Sequence, residues 1–109
     1  MLPNCDRAFI DPSKLTDYLL SPAHPIGRFK AAVFMALGYT QDQWEVLEGD
    51  LLSMARANPA IPGQPSAYGQ KYEVSGILKG PSGRSGRFVS IWLIPAGEDA
   101  PRLVTVIPG

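Results

Sequence analysis

One cysteine, Cys5, and one histidine, His24, are all that this chain has of those two side chains. A disulfide needs a second thiol, so no internal bridge can form, and Cys-based zinc sites are excluded. No metal and no cofactor is implied. Net charge is missing too: ten basic and ten acidic residues cancel. A neutral chain exerts no global pull on nucleic acid or on an anionic membrane, although a local basic patch can still form. No apolar run approaches the roughly 20 residues that a bilayer-spanning helix needs. The N-terminal MLPNCDRAFIDP has no basic segment leading into an apolar one, so it does not read as a signal peptide. A cytoplasmic location with no membrane partner is the expectation. The Walker loop, G-x-G-x-x-G, H-E-x-x-H and the G-x-S-x-G elbow are all absent, as are internal repeats and low-complexity tracts.

What is present predicts a folded chain. Hydrophobic residues make up 45% and charged residues 18% of the 109 positions, a balance that buries a core without staples and places residues 1–109 in one domain. Eleven prolines and eleven glycines cut the chain into short elements.

Residues 1–10 read as an N-terminal tail. Asp11-Pro12 is a helix start, with Asp as N-cap and Pro at the first helical position. That helix is predicted over Pro12–Leu20, with Leu15, Tyr18 and Leu19 on one face. A second helix is predicted over Gly27–Leu37, its apolar stripe formed by Phe29, Val33, Ala36 and Leu37, with Gly38 as the left-handed residue that ends it. Thr40 and Gln43 have capping-box spacing, and a third helix follows over Gln41–Ala57, carrying Trp44, Leu47, Leu51, Met54 and Ala55 at helical spacing. Residues 58–69, NPAIPGQPSAYG, read as a Pro/Gly-rich crossover loop. The period then changes to two. Strands are predicted over Gln70–Lys79, Arg87–Pro95 and Arg102–Ile107, with turns at Gly80–Gly83 and Ala96–Pro101. Helices followed by strands define an α+β fold: three N-terminal helices packed on one face of a C-terminal antiparallel meander of three to four strands. Exposed edges of such a meander leave room for a homodimer through strand pairing.

Few residues carry chemistry. His24 titrates near neutrality and fits a general acid or base; as a loop residue it can equally cap a backbone group. Lys30 fits a cation that stabilises a phosphate or oxyanion. Its neighbours at helical spacing, Phe34 and Leu37, are apolar, which argues against full exposure. Arg28, Arg84, Arg87 and Arg102 are candidate anion contacts, with Arg84 and Arg87 on a hairpin tip and Arg102 opening the last strand. Thr105 places a hydroxyl in that strand, where ordinary β-propensity also explains it. Tyr72 and Trp92 either fill the core or stack a base on the sheet.

The segments KLTDYLLSPAHPIGRFKAAVFMALGYT, YGQKYEVSGILKGPSG and IWLIPAGEDAPRLVTVIPG resemble a bacterial domain family found as stand-alone small proteins and at the C-terminal tips of polymorphic toxins. The shared skeleton is a YLL element, a histidine, a G-x-x-K-A-x-x-F helix and an R-L-V-T strand, spanning about Lys14 to Pro108. This pattern is similar to the barnase–EndoU–colicin–RelE class of toxin ribonucleases. The resemblance implies metal-independent RNA cleavage, in which the 2′-hydroxyl attacks the adjacent phosphate. Carried over, His24 moves protons, Lys30 and Arg102 stabilise the pentacovalent phosphorus, and Thr105 orients the phosphate. It also implies an RNA substrate and a cognate antitoxin or immunity protein. Such ribonucleases are usually basic, and this chain is neutral. The second reading is therefore a non-catalytic interaction module of the same fold, an immunity or regulatory partner.

Overall fold

Two eleven-residue strands, β2 (Gly69–Lys79) and β3 (Ser85–Pro95), form the centre of the molecule. The computed structural model describes residues 1–109. β2 and β3 pair antiparallel without interruption from Gly69↔Pro95 to Lys79↔Ser85. β1 (Ala60–Pro62) adds on one side and β4 (Arg102–Pro108) on the other, giving the order β1-β2-β3-β4. Before them come a short 3-10 turn over Cys5–Arg7 and three helices. In α1, a turn of α-helix over Pro12–Lys14 continues as a π-helical turn over Leu15–Leu19. α2 spans Gly27–Ala36 and α3 spans Trp44–Ala57. The fold is α+β, with N-terminal helices and a C-terminal antiparallel sheet, as expected.

Alternation explains which sheet face is covered. Val74, Leu78, Phe88 and Trp92 are buried, while Glu73, Ser75, Ile77 and Arg87 between them are exposed. Trp92 has no exposed surface, and its indole N–H donates to Ser90 Oγ at 2.8 Å. Ser90 Oγ in turn donates to the Val74 carbonyl at 3.0 Å, so the buried polar groups are satisfied. Leu47, Leu51, Met54 and Ala55 of α3 close over this face, in the spacing read from the sequence.

Four expectations need correction. The first ten residues are not a free tail: Leu2, Ala8 and Ile10 are buried. Phe9 forms a parallel bridge to Arg102, donating its N–H to Pro101 at 3.0 Å and accepting from Leu103 at 3.2 Å. Arg7 pairs with Asp99 at 2.9 Å beside it. Second, the crossover loop contains β1, whose three residues pair with Val74, Glu73 and Tyr72. A proline is tolerated there because β1 is an edge. Third, α3 begins at Trp44 rather than Gln41, although Thr40 Oγ1 does accept from the Gln43 N–H at 3.2 Å. Fourth, the buried face of α2 is Gly27, Ala31 and Phe34, followed by Leu37. Phe29 is 66% exposed and Val33 38%, and Ala36 is exposed, so of the predicted stripe only Leu37 points inward.

Two glycines fix how α2 sits. Gly38 has φ of +97°, the left-handed end expected for this helix. Gly27 is buried against α1, and a Cβ there would overlap the carbonyl oxygen of Tyr18. Only glycine lets the first turn of α2 lie on the backbone of α1.

Candidate functional site

The π-turn of α1 and the close approach of Gly27 set Tyr18 directly against α2. The wide turn closes with the Leu20 N–H on the Leu15 carbonyl at 2.8 Å. Leu15, Leu19 and Leu20 are all fully buried by it, and Tyr18 is left half-buried. Single π-turns recur at functional sites because they break helical register locally. One turn beyond Gly27 on the inner side of α2 lies Lys30, half-buried, in line with buried Phe34 and Leu37.

Thr105 arrives from the sheet. Leu103 and Val106 are both buried although three residues apart, which strict alternation forbids. A bulge between β3 and β4 at Ile91/Trp92 absorbs the extra residue. Val104 and Thr105, both half-buried, lie between them.

The three side chains close a triangle. Lys30 Nζ donates to Tyr18 Oη at 2.8 Å and to Thr105 Oγ1 at 2.7 Å. The two hydroxyls are 3.1 Å apart. Lys30 Nζ also lies 5.1 Å from the centroid of the Tyr18 ring. Burial alone would raise the Tyr18 pKa. The hydrogen bonds from Lys30 and Thr105, with the charges of Lys30 and Lys14, outweigh it and hold the phenol below its ordinary value of 10.0.

His24 packs edge-on against the Tyr18 ring, centroids 4.9 Å apart. Its Nδ1 accepts from the N–H groups of Ile26 at 3.0 Å and Gly27 at 2.9 Å. Backbone N–H groups can only donate, so Nδ1 is bare and the neutral ring carries its proton on Nε2. The backbone cap is therefore real. With Nδ1 occupied in this way, His24 offers a donor at Nε2 and not a base.

Tyr18, His24 and Thr105 line one cleft of about 570 Å³ together with Ser13, Lys14, Asp17 and Val104. That volume lies in the range of small-ligand sites. Lys30 is bonded to two of the wall residues and does not itself line the cleft.

The other candidates lie elsewhere. Arg102 donates to both carboxylate oxygens of Glu98, at 3.0 and 3.1 Å, and its guanidinium lies 5.7 Å from the Phe9 ring. It does not reach the cleft wall. Arg28 lies over the exposed Phe29 ring. Arg84 and Arg87 are exposed at the far end of the β2–β3 hairpin. Trp92 is wholly buried and Tyr72 packs against the core, so Trp92 offers no face to a base. No group of three or more His, Cys, Asp or Glu residues is placed to hold a metal ion. No helix is long and apolar enough to cross a membrane.

Of the four residues the sequence grouped, His24, Lys30, Arg102 and Thr105, the structure brings His24, Lys30 and Thr105 together and leaves Arg102 on Glu98; Tyr18 was missed, having been assigned to the apolar face of the first helix. Lys14 and Asp17 were missed as well.

Comparison with known proteins adds fold and family. No curated protein matches the chain. Among solved structures, the fold is similar to that of a chain in a contact-dependent growth inhibition toxin–immunity protein complex from Klebsiella pneumoniae 342. The TM-score is 0.73 at 20% identity, covering 95% of each chain. A model of the family described as "Domain of unknown function (DUF6883)" matches residues 1–109, and the chain belongs to that family.

Proposed function

We propose that this protein is a toxin-system ribonuclease whose site is the cleft between α1, the loop at His24 and β4. The observation that carries the reading is the Lys30–Tyr18–Thr105 triangle at the wall of that cleft. A phenol held by an ammonium group gives up its proton more readily than a free tyrosine, and it needs no metal to do so. The similarity in fold to a chain of a toxin–immunity complex supports the toxin-system setting.

In this reading a phosphodiester lies across the cleft. The 2′-oxygen attacks phosphorus and the bond to the 5′-oxygen breaks. Tyr18 gives its proton to the departing 5′-oxygen, and Lys30 stabilises the phenolate that remains. The 2′-hydroxyl proton leaves to water in the open cleft, and the products are a 2′,3′-cyclic phosphate and a 5′-hydroxyl. The Nε2–H of His24 donates to a non-bridging phosphate oxygen, where negative charge grows. Thr105 fixes the phenol and orients the phosphate. Lys30 acts through Tyr18, and Arg102 has a structural role at the docked N-terminal segment.

Expression in cells of wild type, His24→Ala and Tyr18→Phe tests the reading. Wild type slows growth and fragments RNA, His24→Ala does so weakly, and Tyr18→Phe does neither. Harmless wild type with intact RNA would leave the second reading, a non-catalytic partner-binding module. Zero net charge, with the exposed Phe29 and Val33 on α2 and Ile26 just before it, favours that alternative.

A further inference from the structure

The outer face of α2 is apolar and open. Phe29, Val33 and Ala36 follow helical spacing there, with Ala32 beside them, and all four are exposed. Ala32, Val33 and Ala36 line one side of a groove of about 750 Å³, and Gly86 and Phe88 of β3 line the other. Both sides are held in place. Phe34 stacks on Phe88, ring centroids 5.1 Å apart. The tip of the β2–β3 hairpin is tied to the end of α2, where the Ser82 N–H and hydroxyl both donate to the Leu37 carbonyl, at 3.0 and 2.8 Å. Gly86 keeps the groove open, since a Cβ there would come within 2.9 Å of the Phe88 ring.

Charge is segregated around this groove. The chain is neutral as a sum, yet no Asp or Glu occurs between Tyr18 and Gln41 or between Val74 and Gly97, the two stretches that build the groove. Arg84 is part of its lining, and Arg28 lies one turn before Ala32 on α2, its guanidinium over the Phe29 ring at 4.8 Å. Neither arginine belongs to an ion pair; those are Arg7 with Asp99 and Arg102 with Glu98. Exposed apolar surface flanked by unpaired arginines, with no carboxylate beside it, is complementary to an acidic partner.

We infer that this groove docks an acidic amphipathic helix of another protein. Apolar side chains one turn apart on that helix seat between α2 and β3, and flanking carboxylates meet Arg84 and Arg28. A nucleic acid fits the groove less well, because Ala32, Val33 and Ala36 give a base no flat face to stack on. The groove shares no lining residue with the cleft at Tyr18, so the inference stands apart from the ribonuclease reading.

The test is fluorescence anisotropy with two labelled helical peptides of about four turns, alike in their leucine stripe and carrying either glutamate or lysine on its flanks. Wild type is expected to bind the glutamate peptide tighter by on the order of ten-fold. Val33→Asp is expected to lose that binding, and the double variant Arg28→Glu, Arg84→Glu to prefer the lysine peptide. All three positions are exposed, and circular dichroism is expected to match wild type in both variants. No binding of either peptide, equal binding of both, or a glutamate preference that survives the double variant overturns the inference. So does displacement of the glutamate peptide by oligouridine, or a dimer of this chain in sedimentation that Val33→Asp dissolves. RNA cleavage is read separately on the same variants. Its absence from wild type would remove the ribonuclease reading and leave the groove assignment intact.

Discussion

Tyr18 is the residue on which the proposed chemistry turns, and its properties come from two neighbours. Lys30 Nζ at 2.8 Å and Thr105 Oγ1 at 3.1 Å act against burial and win, leaving the phenol below its ordinary pKa. An acid must hold its proton to act, so with Tyr18 as the proposed acid, RNA cleavage is expected to fall on the alkaline side as it ionises, at a pH below 10. Lys30→Met removes the main lowering influences and leaves burial, which raises the pKa. The alkaline limb of the pH–rate profile therefore moves to higher pH in Lys30→Met, and cleavage at neutral pH drops. An ultraviolet difference titration of wild type against Tyr18→Phe locates the same group without turnover. A limb that stays in place in Lys30→Met contradicts the assignment. At this scale the sequence carried only part of the site. Lys30 was legible because Phe34 and Leu37 share its side of the helix. Tyr18 was not, because a tyrosine between Leu15 and Leu19 has the spacing of a core residue, and nothing local reports that its hydroxyl meets a lysine 12 positions away.

At the scale of elements, α2 is where pattern reading failed. GRFKAAVFMA is apolar almost all the way round, with Arg28 and Lys30 as its only charges, so its periodicity does not fix which side faces inward. The sheet decides: Phe34 stacks on Phe88, ring centroids 5.1 Å apart, and Phe29 is left outside. Phe34→Ala should cost about 3–5 kcal/mol of unfolding free energy, as buried aromatic truncations do. Phe29→Ser should stay within about 0.5 kcal/mol of wild type. Urea unfolding of both variants checks this, and the reverse order would return the helix to the phase its sequence suggested. Gly27→Ala belongs to the same element. Its methyl group meets the Tyr18 carbonyl, the two helices separate, and the variant loses about 1–3 kcal/mol by overpacking. The distinctive sign is functional: Lys30 withdraws from Tyr18, and the alkaline limb shifts as in Lys30→Met. The docked N-terminal segment and β1 escaped the sequence for a related reason. One bridge and a three-residue strand are too short to leave a period, and their pairing is set by distant Arg102 and Val74.

For the molecule as a whole, the architecture was legible and the site half so. Twofold alternation in β2 and β3, helical spacing in α3 and the caps at Asp11 and Gly38 each report on local backbone, and local signals summed to the α+β fold. The cleft is a long-range product. It needs a π-turn, a glycine contact between helices and a bulge in the last strand, each placed by tertiary packing. Neutral charge also takes its meaning at this scale. The cations at the cleft are Lys14 on its wall and Lys30 behind it, so under the proposed function RNA affinity is expected to decline only modestly with salt.

The most direct measurement is incubation of the purified protein with total cellular RNA in excess EDTA, with analysis of fragment ends. Wild type should cut RNA undiminished by the chelator and leave 2′,3′-cyclic phosphates and 5′-hydroxyls. Tyr18→Phe should lose on the order of 10²–10⁴-fold in rate, the range for removing a general acid. RNA left intact by wild type, or cut equally well by Tyr18→Phe, would contradict the account.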